Sequence, residues 1–182
     1  MKIVSLTIEG AYKISPNVLG DNRGRFARVY CSQTFEAQGL NTNWVQMNTS
    51  FSAREGTVRG LHFQRPPCSE VKLVRCVRGE IVDFILDLRR LSPTFGHAIS
   101  VPVSSQGAEM LYIPQGCAHG FQTLTDDVEL HYCHSEFYSP EHEGGVSILD
   151  PDLQIELPLP VSEMSDRDKQ HATFINTRPI EL

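Results

Sequence analysis

The stretch Val71-Lys-Leu-Val-Arg-Cys-Val-Arg-Gly-Glu-Ile-Val-Asp-Phe-Ile-Leu-Asp-Leu88 decides the fold. Aliphatic and β-branched residues dominate it, and Arg78-Gly79 breaks it once. Runs of strand length on either side of a short Gly-containing break read as a tight hairpin joining residues 71–77 to 80–88. Working outward, similar runs recur at residues 2–8, 25–31, 44–51, 97–103, 110–113, 120–123, 128–135 and 146–148. Turn residues separate them at a spacing of about ten, the mark of an antiparallel sandwich or barrel. Helical periodicity is scarce. The best windows are residues 31–38, opened by Ser32, and 165–170, where Ser165 can cap. The tail from Asp150 carries Pro151, Pro158, Pro160 and Pro179 and reads as an irregular wrap over a sheet. The expected class is mainly β, with few short helices.

Composition narrows the function. The chain has 182 residues and 20.4 kDa, suited to one domain over residues 1–182 that folds without staples. Sixteen basic against 22 acidic residues leave a net charge of −6, which argues against a nucleic-acid or anionic-membrane partner while allowing a local basic pocket. Five cysteines, an odd number without a CxxC pair, argue against a disulfide framework or structural zinc and for a reducing compartment. The N-terminal segment lacks the apolar core of a signal peptide, and no stretch approaches the length of a membrane span. A soluble cytoplasmic protein is expected.

Three segments combine polar side chains with turn glycines in β context: Arg59-Gly-Leu-His-Phe-Gln64 with Lys72 beyond it, Pro114-Gln-Gly-Cys-Ala-His-Gly-Phe121, and Tyr132 within Glu129–Ser135. Strand alternation puts Arg59 and Leu61 on one face and His62 and Gln64 on the other, unless Gly60 breaks the phase. A metal centre would want a second histidine where Gln64 stands, and His62, His119 and Glu70 make a thin ligand set. Cys117 near His119 invites a nucleophile, but no nucleophile elbow is present, and a free Cys in a β core usually acts as a small hydrophobe. The third reading is proton transfer beside a carbonyl. A neutral imidazole at position 62 is a suitable base near neutral pH, the Lys72 ammonium can meet an enolate oxygen, and the Tyr132 phenol can return a proton. Each of these residues also fits a purely structural role.

Taken in order, the strings resemble the family of deoxysugar-nucleotide epimerases typified by dTDP-4-dehydrorhamnose 3,5-epimerase. They are Asp21-Asn-Arg-Gly-Arg-Phe26, Gln46-Met-Asn-Thr-Ser-Phe-Ser52, Gly56–Gln64, Lys72-Leu-Val74, Gly79–Arg89, Ser92-Pro-Thr-Phe-Gly96, Ile113–Phe121, Tyr132, Phe137-Tyr-Ser-Pro140, Asp150-Pro151 and Ser165-Asp-Arg-Asp168. The resemblance implies a cupin-type jelly roll, a homodimer, and catalysis without a metal or cofactor on a nucleotide-linked 4-keto-6-deoxyhexose. It implies His62 as base, Asp168 as its orienting partner, Lys72 at the enolate and Tyr132 as the acid on the opposite face. Arg59 and His119 would hold sugar and diphosphate, with Gln46 and Asn48 nearby. Arg23 and Phe26 would meet the nucleotide from the partner subunit. Two departures concern specificity. Arg28 stands where the family pattern has Glu, and Leu157-Pro158 where it has Trp-Pro. A guanidinium at a base edge suits cytosine better than thymine, so CDP enters beside dTDP as the expected nucleotide. Rival readings are a ketoisomerase of the same fold, a silent sugar-nucleotide-binding cupin and a metallo-cupin oxygenase.

Overall fold

A computed structural model describes the whole chain, Met1 to Leu182. Its strands are β1 (Lys2–Ser5), β2 (Tyr12–Ser15), β3 (Val18–Asp21), β4 (Gly24–Ala27), β5 (Gln46–Ser52), β6 (Val58–Gln64) and β7 (Lys72–Arg78). They continue as β8 (Glu80–Asp87), β9 (Ala98–Ser104), β10 (Met110–Ile113), β11 (Cys117–Thr123), β12 (Val128–His134) and β13 (Glu143–Gly145). Two short helices, α1 (Ser32–Glu36) and α2 (Asp166–Lys169), complete the regular structure with two 3₁₀ turns. Strands β1-β2-β10-β7-β12-β5 form one antiparallel sheet and β13-β6-β11-β8-β9 a second, while β3 and β4 pair only with each other. The expected mainly β sandwich is what forms.

The expected hairpin does not. Strand β7 pairs with β10 and β12, and β8 pairs with β9 and β11, so the turn at Gly79 carries the chain from one sheet to the other. The gain is packing. Val74 and Cys76 on one sheet face Ile81 and Ile85 on the other within a shared core that also takes Leu111, Phe121 and Leu130. Had β7 and β8 paired, those side chains would lie beside one another in one layer. Gly79 turns the corner at φ +79°, where an added Cβ would stand 2.7 Å from both Thr125 Oγ1 and Val128 Cγ2.

Each outer face is covered in part, leaving Met47 and Phe51 of β5 exposed. Helix α1 lays Phe35, with Leu40 just beyond it, over Ile14, Leu73 and Met110 of the six-stranded sheet. The Pro-rich tail wraps the five-stranded sheet as expected, burying Leu153 and Ile180 against Phe63, Phe84 and Leu86. Helix α2 begins at Ser165, whose side chain accepts from the Asp168 amide. Smaller corrections concern strand bounds. β1 ends at Ser5, β4 at Ala27, and β11 begins earlier, at Cys117. The short run at 146–148 makes a lone bridge to Ala172, and the strand there is Glu143–Gly145. Strands β2 and β3 were not anticipated.

Candidate active site

Alternation sorts the inner face of the sandwich by chemistry. On β7, Lys72, Val74 and Cys76 point inward, and on β12 Val128, Leu130, Tyr132 and His134 do so. One end is therefore apolar core, and the other end opens into a polar cavity of about 270 Å³. That falls just below the ~300–1,000 Å³ of common small-ligand pockets, room for one sugar and not for a whole sugar nucleotide. His62, Arg59 and His119 line it from the five-stranded sheet. Lys72, Tyr132 and Asn48 line it from the six-stranded sheet.

Arg59 and His62 converge because β6 carries an extra residue. Opposite β11, His62 pairs with His119 but Arg59 pairs with Phe121, so three steps on one strand match two on the other. The bulge turns an odd spacing into a same-face pair, while Leu61 is thrown outward into the other core. Gly60 makes this possible. Its φ is +105°, and a Cβ there would lie 2.5 Å from Gly120 Cα and 2.6 Å from the His119 carbonyl oxygen.

His62 Nε2–H donates to Asp168 Oδ1 at 2.7 Å, and the Gly60 amide donates to Asp168 Oδ2 at 3.1 Å. Burial works against charge on Asp168. The bonds from His62, Gly60 and Ser165 overcome it and hold the carboxyl down at about 2. A carboxylate fixed on both oxygens sets the tautomer of His62, leaving Nδ1 as the free nitrogen of the ring. Tyr132 stands on the facing sheet with its hydroxyl 3.1 Å from Ser50 Oγ. Burial pushes its phenol well above the ordinary value, against a smaller opposing effect of Ser50, so it stays a proton donor at neutral pH. Lys72 is buried and donates to the His62 carbonyl oxygen at 3.3 Å. His119 Nε2 meets Asp83 Oδ2 at 2.7 Å, where burial pushes the carboxyl up against the pull of His119. Arg59 is tied back to Ser52 Oγ and the Phe51 carbonyl oxygen.

Sequence reasoning missed His134 and Glu143 and weighed Glu70 only as a metal ligand. Glu70 Oε2 receives a hydrogen bond from His134 Nδ1 at 2.7 Å, giving a third carboxylate–imidazole pair. Glu143 lies at the rim, held by Tyr138 and Arg167 at 2.6 Å each. The only signal for Glu70 and His134 was their two-residue spacing from Lys72 and Tyr132. Other expected residues lie elsewhere. Gln46 accepts from the Tyr138 amide beside the cavity instead of lining it. Arg23 and Phe26 sit on the exposed β3–β4 ribbon and Arg28 just beyond it, all outside the cavity of this chain. The ribbon pairs with neither main sheet, which is why strand register does not bring them inward.

Two rival chemistries lose ground here. Cys117 is buried and its thiol is pushed up to about 12 by burial, so it behaves as a small apolar side chain. Glu70 serves His134 and Lys72 instead of completing a metal set with His62 and His119. The donors that do cluster, within 4.8 Å of one another, are His62, Asp168 and His171. An ion among them would compete with the hydrogen bond between His62 and Asp168.

A family model described as dTDP-4-dehydrorhamnose 3,5-epimerase matches residues 5–176. The chain is 38% identical over 177 residues to the dTDP-4-dehydrorhamnose 3,5-epimerase of Shigella flexneri, covering 97% of each. It is likewise 38% identical to a dTDP-4-dehydrorhamnose 3-epimerase of Streptomyces niveus, covering all of this chain and 88% of that one. Among solved structures, dTDP-6-deoxy-D-glucose-3,5-epimerase from Legionella pneumophila, in complex with dTDP-4-keto-L-rhamnose, superimposes with a TM-score of 0.93. The two share 32% identity, with 100% of this chain and 98% of that one covered. The expected cupin-type fold is thereby established, and the chain is an isomerase belonging to the dTDP-4-dehydrorhamnose 3,5-epimerase family.

Proposed function

We propose that this chain epimerises a nucleotide-linked 4-keto-6-deoxyhexose through an enolate, inverting C3, C5 or both. One observation carries the reading: His62 and Tyr132 project from opposite sheets into one sugar-sized cavity that the buried Lys72 also lines. Inversion needs a base on one face of a carbon and an acid on the other. His62 Nδ1 takes the proton beside the ketone, and the Asp168 carboxylate steadies the imidazolium that forms. The electron pair moves onto the ketone oxygen, where the Lys72 ammonium meets the new charge. The Tyr132 phenol then protonates the opposite face of the carbon. A ketone's α-hydrogen is a weaker acid than imidazolium by on the order of ten pKa units, at ~1.4 kcal/mol each. Fixed geometry and a charge partner that acts on the enolate supply that difference. The ketone is its own electron sink, so the reaction needs no redox cofactor.

The nucleotide is proposed to be dTDP, as in the Legionella complex, gripped outside the cavity by Arg23 and Phe26 of a partner copy in a cytoplasmic homodimer. The cavity volume supports this, because base and ribose must lie beyond it. The five free cysteines support a reducing compartment. The test is incubation of dTDP-4-keto-6-deoxyglucose in D2O with NMR readout of each carbon, run beside the CDP-linked sugar. Deuterium entry with inversion, abolished by His62→Ala, is the expected result. Undiminished exchange in His62→Ala refutes the base. A preference for the CDP sugar would transfer base recognition to Arg28.

A further inference from the structure

We propose that Glu70 and His134 form a positioning clamp that keeps the buried Lys72 charged and aimed at the developing oxyanion. The inference rests on the assignment of Lys72 to the enolate oxygen.

A buried ammonium tends to lose its proton unless an anion stands beside it. The groups facing Lys72 are the His62 carbonyl oxygen on β6, Asp83 on β8, His119 on β11, Tyr132 and His134 on β12, and Glu70 just before β7. Asp83 is engaged by His119 and is pushed toward its neutral form by burial, so it is a poor counter-charge. Glu70 is the carboxylate in ion-pair contact, with Oε1 3.3 Å from Lys72 Nζ and both side chains 9% exposed. Burial opposes its charge, but His134 and Lys72 outweigh that and keep the carboxyl below its ordinary value.

A lone glutamate on this irregular approach to β7 would have other rotamers to choose from. His134 removes the choice. It stands directly opposite Lys72 in the β7–β12 register, and its Nδ1–H donates to the second Glu70 oxygen at 2.7 Å. Its Nε2 accepts from the Asn48 amide at 3.3 Å, and its ring stacks on Tyr132 at 23° with centroids 6.1 Å apart. One imidazole thus ties the counter-ion of Lys72, a cavity amide and the ring of the proposed acid into a single unit. Neither Glu70 nor His134 has to touch the sugar for this to matter.

The test uses pH–rate profiles of the full-length protein with dTDP-4-keto-6-deoxyglucose, comparing wild type, Glu70→Gln, His134→Phe, the double variant and Lys72→Met, with thermal melts confirming folding. Loss of the Glu70 charge is expected to move the alkaline limb of kcat down by about one to three pH units, with KM little changed. His134→Phe keeps the ring on Tyr132 but drops both hydrogen bonds. It is expected to shift the limb the same way by less and to raise KM through Asn48. In the double variant the limb falls no further than in Glu70→Gln alone, as expected if His134 acts through Glu70. Superimposable profiles for wild type and Glu70→Gln, with Lys72→Met inactive, overturn the clamp. Full activity in Lys72→Met overturns the role of Lys72 itself.

Discussion

Replacing Asp168 by Asn separates two things the carboxylate does for His62, because it removes charge while keeping shape. The charge is modest in effect. The fall of the carboxyl from 3.8 to about 2 is worth about 2 kcal/mol, spread over His62, the Gly60 amide and Ser165. The portion acting on His62, itself one-third exposed, is therefore about 1 kcal/mol, or less than tenfold in rate. The tautomer matters more. The Gly60 amide donates to one oxygen and will keep an oxygen there, so the side-chain NH₂ that Asp168→Asn introduces must face His62 Nε2. An N–H facing Nε2 forces that nitrogen to accept, placing the proton on Nδ1, the nitrogen needed as base. A reversed tautomer in a His–Asp pair lowers turnover by on the order of 10³–10⁴-fold. Asp168→Ala leaves the ring free to choose its tautomer and is expected to lose less than Asp168→Asn. The assay is the initial rate of deuterium entry at each sugar carbon in D2O, with melts to confirm that both variants fold. Equal rates for the two variants, or a faster Asp168→Asn enzyme, would refute the tautomer reasoning.

Tyr132→Phe keeps the ring stack but not the proton, so deuterium should still enter at C3 while inversion fails, most clearly at C5; complete epimerisation by this variant, read by NMR, contradicts its acid role. Gly60→Ala forces a Cβ to within 2.6 Å of backbone at φ +105°, and should cost about 3 kcal/mol or more, seen by calorimetry as a fall of roughly 6–12 °C in Tm. Acid stability should also depend on Asp168. Its folded pKa lies below its unfolded one, so its contribution of about 2 kcal/mol is present above about pH 4 and is lost as pH falls toward 2. Chemical denaturation of the wild type and Asp168→Ala should therefore converge at acid pH and differ at neutral pH.

Much of this was legible in the chain. Polar side chains set in strand-like runs identified Tyr132 and Lys72 as candidates, and the Ser165 cap located the turn that carries Asp168. What alternation could not give was the meeting of Arg59 with His62, because an odd spacing is corrected only by a bulge visible in pairing with β11. The hairpin expected at Gly79 failed for a related reason. Local signals describe a reversal of direction equally well whether the second strand pairs beside the first or crosses above it, and the shared core of Val74, Cys76, Ile81 and Ile85 decides between them. The pairing of Glu70 with His134 was not legible, because a lone Glu and a lone His carry no motif and their 2.7 Å contact joins segments far apart in sequence.

The corner at Gly79 also governs when the enzyme comes into being. Lys72 and Asp83 are close along the chain, yet they stand on different sheets and come within range of each other's charge only once both layers have closed. No isolated ribbon of consecutive strands holds half of the catalytic apparatus. Long-range pairing of this kind forms late and slowly, so a refolding chain should show β structure well before it turns over a single sugar.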